Sequence, residues 1–349
     1  MKKPAIPHHS TETRPITKPK LWPRIRKPVS TILLGIGMFL LISIMYFQFR
    51  PLNVGYLQSI KSPIRDFQQA DQMARDLVAK DEKNTSLNPD CHYRYLSQPK
   101  PVEHVLVIRH GLTNCPRQFD QLADEYYKAG YAVLITRIPY HGLVDRKSPD
   151  QSLLTAEMTL SDLNRSIDIA QGLGSHVDVM GLSVGANEVA MVATQRADID
   201  RAIIINPFFG IKGLPAPLTR MATGAALTIP NQFIWWDGKA KELLSGPTSA
   251  SYGFQTHSIG EYLRITAAIF DKPNNKPLAA RPIIITNAND DAVNNKVTDE
   301  IIEQWQKTGA NLVTYRFPES DKLNHDLIDP LQDDARIDIS YPKILELTR

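Results

Sequence analysis

The stretch that most constrains this chain runs VMGLSVGANEVAMVAT, from Val179 to Thr194. It starts as an apolar strand, turns through Gly181-Leu182-Ser183-Val184-Gly185, and continues as a mostly apolar helix. A strand that feeds directly into a helix is half of a βα unit, and such units build mostly parallel sheets covered by helices. The two glycines remove Cβ atoms where strand and helix approach, so Ser183 can occupy a strained turn that exposes its hydroxyl. As bare letters Gly-x-Ser-x-Gly carries little information. The strand before it and the helix after it make Ser183 a candidate nucleophile.

From about Cys91 the chain keeps this rhythm. Apolar runs at 104–109, 131–136, 176–181, 201–206, 282–287 and 312–317 predict strands, and helical periodicity predicts helices over 118–128, 161–173, 184–195, 298–307 and 331–347. The link Pro207–Ala280 takes 74 residues, whereas an ordinary connection takes about 2 to 6 residues plus one helix. An insertion is therefore expected. It holds Phe208, Phe209, Phe233, Trp235, Trp236, Tyr252, Phe254, Tyr262 and Phe270, which suits a cap over a pocket and equally suits a small core of its own.

Residues 1–28 carry a strong positive bias: the first thirty residues hold eight Lys or Arg against Glu12 alone, a local charge of +7 in a chain of net +3. The rest is mildly acidic, so the sequence pI reports the tail and no nucleic-acid-binding face is implied. Six prolines in that tail predict disorder. Val29–Phe49 then gives 21 residues without a charge, enough at about 1.5 Å per residue to span a bilayer core of roughly 30 Å. A core helix has no reason to be apolar all round behind a basic leader. A cleavable signal peptide is shorter and ends in small residues, which FQFRPLN does not offer. Val29–Phe49 reads as a transmembrane anchor with the basic tail in the cytoplasm, placing the remaining domain outside it, in the periplasm if the source is Gram-negative. Residues 50–90 read as a stalk that includes a stalk or docking helix over Ser62–Lys80.

A serine hydroxyl needs a base to take its proton and a carboxylate to orient that base. In folds of this kind the partners follow the serine in the order Ser, Asp or Glu, His. Past Ser183 only His257 and His325 remain. His257 falls in the insertion, whereas His325 follows the last predicted strand, which favours His325. In IIITNANDDAV the acid is Asp290, with Asp291 as runner-up; both also suit a turn before the next helix. The oxyanion of acyl transfer needs backbone donors. Val184 N–H follows the nucleophile at a helix start, and Leu112 N–H follows the tight turn at Gly111. His110 precedes the serine and reads as structural.

These segments, VLVIRHGLTNCPRQFDQLADEYYKAGYAVLITRIPYHGL, MGLSVGA, NANDDAV and NHD, resemble α/β-hydrolases of the monoacylglycerol lipase, carboxylesterase and serine aminopeptidase-like group. The resemblance covers most of residues 91–349. It implies an α/β-hydrolase fold with a mostly parallel central sheet, flanking helices and a cap at 207–280. It also implies a Ser183, Asp290, His325 triad with Leu112 and Val184 as oxyanion donors, and a chiefly structural loop at Arg137–Gly142. Arg109 departs from the family pattern, where an apolar residue is usual, as does Ala186, where a second glycine is frequent. The expected function is a membrane-anchored serine hydrolase acting on small-molecule carboxylic esters. The alternatives are a peptidase or amidase of the same fold and a non-catalytic binding protein on that scaffold. No phosphate loop or dinucleotide fingerprint is present, so no cofactor is expected. The histidines and two cysteines do not fall in ligand-like spacing, so no metal site is expected either. With the domain outside the cytoplasm, Cys91 and Cys115 on either side of the first strand are expected to form a disulfide.

Overall fold

The computed structural model describes residues 23–239, 241–243, 246–271 and 276–349. The expected disordered tail falls mostly on residues 1–22, outside the described residues. The chain divides at Tyr46 into two units. The first contains all but the last turn of helix α1 (Pro23–Phe49), which begins within the segment assigned to the tail. Its apolar side chains from Val29 to Met45 are exposed. By length and composition this helix can cross a membrane.

The second unit opens with α2 (Phe67–Glu82), β1 (Arg94–Leu96), β2 (Val102–Arg109) and α3 (Asp120–Lys128). It continues through β3 (Ala132–Thr136), α4 (Ala156–Leu173), β4 (Gly174–Leu182), α5 (Val184–Ala193) and β5 (Arg201–Ile205). Then come α6 (Ala216–Ala226), β6 (Phe233–Trp235), β7 (Gly253–Gln255) and α7 (Thr256–Phe270). The chain closes with β8 (Arg281–Asn287), α8 (Asn295–Lys307), β9 (Val313–Phe317) and α9 (Ile337–Thr348).

Seven strands form one sheet in the order β1-β3-β2-β4-β5-β8-β9. Only the edge strand β1 is antiparallel. Ile203–Ile205 and Ile283–Ile285 are fully buried runs, as a parallel sheet covered on both faces requires. Alternate residues feed two cores. Val105, Val107, Val179, Ile204 and Ile284 pack beneath the helices that include α4, α5 and α7. Leu106, Ile108, Met180, Ile203 and Ile285 pack with Phe119, Leu122 and Tyr126 on one side and Tyr341 and Ile344 of α9 on the other. From β2 the chain moves outward to β3, then returns through α4 to place β4 on β2's other side. The strand order thus reverses between β2 and β4, where ligand crevices open at the carboxyl ends of such sheets.

Element boundaries moved where side chains capture backbone amides. Helix α2 starts at Phe67, not near Ser62, because Ser62 N and Ile64 N donate to Asp168, which leaves Asp66 to cap the helix through Gln69 N. Ala70 and Ala74 of α2 are fully buried, and Asp81 accepts two bonds from Arg137, so this helix is docked. Helix α9 begins at Ile337 instead of 331 because successive turns close at Gln332 N to Asp329 O and Ala335 N to Gln332 O. Strand β1 is only three residues long and gives no readable alternation. Within Pro207–Ala280, α7 belongs to the core: Tyr262, Ile265 and Ile269 are fully buried, and Asn187 of α5 donates to Thr266. Helix α6 and the β6–β7 pair precede it.

Candidate active site

Ser183 sits between β4 and α5 with φ 56° and ψ −118°, a left-handed conformation that costs an L-residue energy unless its surroundings fix it. They do. Ser183 N donates to Ile205 O at 3.0 Å, and its carbonyl accepts from Ala186, Asn187 and Phe208. The glycines earn their place by closeness: a Cβ on Gly181 would lie 2.4 Å from Gly185 O, and one on Gly185 2.6 Å from the carbonyls of Arg109 and His110. The serine is 8% exposed and lines a cavity of about 1110 Å³.

His325 lines the same cavity. Its Nδ1 lies 2.7 Å from Asp290 Oδ2, while Asp290 Oδ1 accepts from Ala292 N and Val293 N at 3.0 Å each. Burial works to raise the Asp290 pKa, but the His325 charge and hydrogen bond and the two amides outweigh it and hold the carboxyl below its usual range. For His325, burial opposes protonation, and the neighbouring Asp290, with Asp326 and Asp291 further off, raises the imidazole above its ordinary value. Asp291 is exposed at the cavity wall. Of the Asp pair, Asp290 is therefore the one that meets the imidazole.

The loop after β2 is organised by His110. Its Nδ1–H donates to Gly111 O at 2.7 Å, and its Nε2 accepts from Ile138 N at 3.0 Å. Both ring nitrogens are engaged, and burial pushes the imidazole well below its usual pKa, so His110 is a neutral structural group. Because a peptide is planar and trans, fixing Gly111 C=O on His110 turns the N–H of Leu112 the opposite way. Leu112 and Val184 both line the cavity beside Ser183. Val184 opens α5, so its N–H has no acceptor within the helix.

His257 is elsewhere: it lines a separate cavity of about 400 Å³, with its Nε2 3.0 Å from Ile229 O. Cys91 and Cys115 are bonded, with Cα atoms 5.2 Å apart and both side chains fully buried. One histidine has carboxylate neighbours that its spacing in sequence did not suggest. At the amino ends of β2, β4 and β5, His104, Asp178 and Asp200 bring ligand-type atoms within 4.8 Å of one another. Arg201 lies 3.2 Å from Asp178 and 3.9 Å from Asp200, so a cationic side chain already stands beside both carboxylates.

Several polar residues that sequence reasoning did not single out support the His325 loop. Asn206 donates to His325 O at 2.8 Å, and Asn287 to Leu323 O and Asn324 O at 2.7 and 2.8 Å. Each asparagine ends or follows a strand, a position where an amide has no ladder partner to satisfy. That placement was the available signal.

Family models give no match to the chain, and curated proteins give none. Solved structures do. A structure of the metagenome-derived lipolytic enzymes LipS and LipT is 18% identical, with TM-score 0.57 over 75% of this chain and 98% of its own. A soluble variant of monoglyceride lipase from Saccharomyces cerevisiae is 15% identical, with TM-score 0.54 over 73% and 89%. The monoacylglycerol lipase of Paleococcus ferrophilus is 13% identical, with TM-score 0.54 over 73% and 97%. The likeness is one of fold. The chain has the α/β-hydrolase fold, with a mostly parallel sheet and flanking helices.

Proposed function

We propose that this chain is a membrane-anchored serine hydrolase that cleaves carboxylic esters. The observation that carries the reading is one cavity lined both by a strained Ser183 and by His325, whose Nδ1 is held by the buried Asp290 carboxylate. The lipolytic and monoacylglycerol lipase activities named for similar structures support an ester substrate.

In this reading His325 Nε2 takes the Ser183 Oγ proton as the oxygen attacks the ester carbonyl. The amides of Leu112 and Val184 donate to the oxyanion as it forms, and because they are fixed beforehand they need no reorganisation in the transition state. Collapse of the tetrahedral species breaks the bond to the alkoxy oxygen, which leaves as alcohol with the proton from His325. Water then gives its proton to the same imidazole and attacks the acyl carbonyl; the bond from that carbon to Ser183 Oγ breaks, the imidazolium returns the proton to Oγ, and the carboxylic acid leaves. Asp290 keeps the proton on Nδ1 and stabilises the imidazolium. Helix α1 anchors the chain with its amino end in the cytoplasm and the catalytic unit outside, as the basic leader supports.

A fluorophosphonate probe tests this. Wild-type protein should be labelled and Ser183→Ala should not; equal labelling of the two, or none of the wild type, refutes the reading. A panel of p-nitrophenyl esters and aminoacyl anilides then separates esterase from amidase, since triad and oxyanion donors serve both.

A further inference from the structure

The two loops that supply the reaction's parts meet at one side chain. Gly111 N–H donates to Gln118 Oε1 at 2.8 Å, and Gln118 Nε2 donates to Asp326 Oδ1 at 2.7 Å. The amide orientation is forced, because a donor faces one end and a carboxylate the other. Gln118 is 2% exposed and belongs to the oxyanion loop it steadies, whereas Asp326 directly follows His325. Beyond Asp326 the network continues. Its Oδ2 accepts from Gln332 Nε2 at 2.8 Å and from Asn114 Nδ2 at 3.2 Å, and the same Asn114 amide reaches Asp329 Oδ2 at 3.0 Å. Asn114 is next to the disulfide-bonded Cys115, whose N–H it accepts at 3.0 Å. Ser183 Cβ and the Gln118 amide both lie within 3.6 Å of where a Cβ on Gly111 would stand.

We propose that Gln118 and Asp326 are positioning residues, a clamp that sets the spacing between the Leu112 oxyanion donor and the His325 imidazole. The proposal rests on the serine-hydrolase reading above. An oxyanion donor must lie at hydrogen-bond distance from an atom that moves during reaction, so small shifts in this loop cost rate more than binding. The Gly111 N–H is consumed by the clamp, which leaves Leu112 as the donor on this loop.

The two ends of the clamp can be exchanged chemically. Gln118→Glu sets a carboxylate against Asp326 and breaks the clamp. Adding Asp326→Asn restores one donor and one acceptor with the polarity reversed. Full-length protein in detergent is assayed with p-nitrophenyl butyrate, with active sites counted by fluorophosphonate so that misfolded molecules drop out. Per labelled site, Gln118→Glu and the neutral Gln118→Met should each lose at least tenfold in kcat with KM within about twofold, and the double variant should recover to within about threefold of wild type. A purely structural role lowers the number of labelled sites and leaves kcat per site unchanged, which overturns the proposal. So does a double variant no better than Gln118→Glu. Wild type that takes no label removes the hydrolase reading and the clamp with it, whereas normal wild-type labelling with unaltered Gln118 variants removes the clamp alone.

Discussion

Arg109 and Glu188 form an ion pair in which neither side chain is exposed, Nε donating to Oε2 over 2.7 Å. The guanidinium also donates to Thr159, Thr136 and the carbonyl of Arg137, and meets Asp162 at 2.7 Å. Burial works to lower the Arg109 pKa, and the charges of Glu188 and Asp162 overcome it, so it stays a cation. Arg109 ends β2, immediately ahead of the loop that carries Gly111 and Leu112, and Glu188 lies on the helix that Ser183 opens. The pair is a buried polar bolt between the two. Arg109→Met leaves the buried Glu188 carboxylate without its cation and should cost about 3–5 kcal/mol; Glu188→Leu should cost less, because Asp162 still faces the guanidinium; and the double variant should cost far less than the two single losses added together. Chemical denaturation of the full chain and its three variants measures this. Simple additivity contradicts it.

The pH dependence of turnover follows from the environment of His325. In the proposed mechanism the imidazole must be neutral to act as general base, and its pKa is raised, chiefly, against burial, by the Asp290 carboxylate. The active form is therefore present above the raised value and lost as pH falls through it. The acid limb of kcat/KM is expected above 6.5, the ordinary imidazole value. Asp290→Asn removes both the charge and the acceptor of the Nδ1 proton, and should cost on the order of 10³–10⁴ in kcat, as loss of the orienting carboxylate does in such triads. A rate profile from pH 5 to 9 decides; an acid limb below that of free imidazole argues against His325 as the base.

How far the sequence could be read depended on whether a signal was local. The Gly181–Gly185 turn, Asp290 and the central strands each declare themselves within a few residues, through glycine spacing, turn chemistry or an unbroken apolar run. Strand β1 did not, because three residues carry no period, and α2 started late because Asp168, a hundred residues away, holds the backbone at Ser62 and Ile64. The Arg109 departure was visible as a letter. Its reason was not, since Glu188, Thr159 and Asp162 come to it from two different helices. The Gln118–Asp326 contact joins residues 208 apart, and nothing at either position announces the other. Polar networks that close over long separations stay hidden where hydrophobic periodicity does not.

The Cys91–Cys115 bond closes a separation of 24 residues. In the chain-entropy account a loop of that size stabilises the folded chain by about 3 kcal/mol, through restriction of the unfolded state. Both sulfurs are buried, so a reductant should act slowly on the native protein and quickly under partial denaturation. Cys91→Ser with Cys115→Ser should lower the denaturation midpoint in proportion to this loss, and dithiothreitol should then have no further effect on the double variant. An unchanged midpoint would show that the bond does not restrict the unfolded chain as its loop length implies.

The cavity beside Ser183 carries an apolar wall of Phe208, Ile211, Ile234, Phe254 and Ile259, with Trp235 and Trp236 of the 207–280 insertion. An acyl chain that lies along this wall leaves water one methylene at a time, each worth about 0.8 kcal/mol. If that burial is realised in the transition state, kcat/KM should rise about fourfold per added methylene until the wall is used up, then level off or fall. Straight-chain p-nitrophenyl esters from acetate to laurate trace the curve. Ile259→Trp shortens the wall without touching Ser183, Asp290 or His325, so its optimum should move to shorter acyl chains while turnover of the acetate ester stays close to wild type. A flat dependence on chain length, unchanged by this substitution, would mean that the acyl group does not occupy the wall and that the apolar residues serve the cap's own packing.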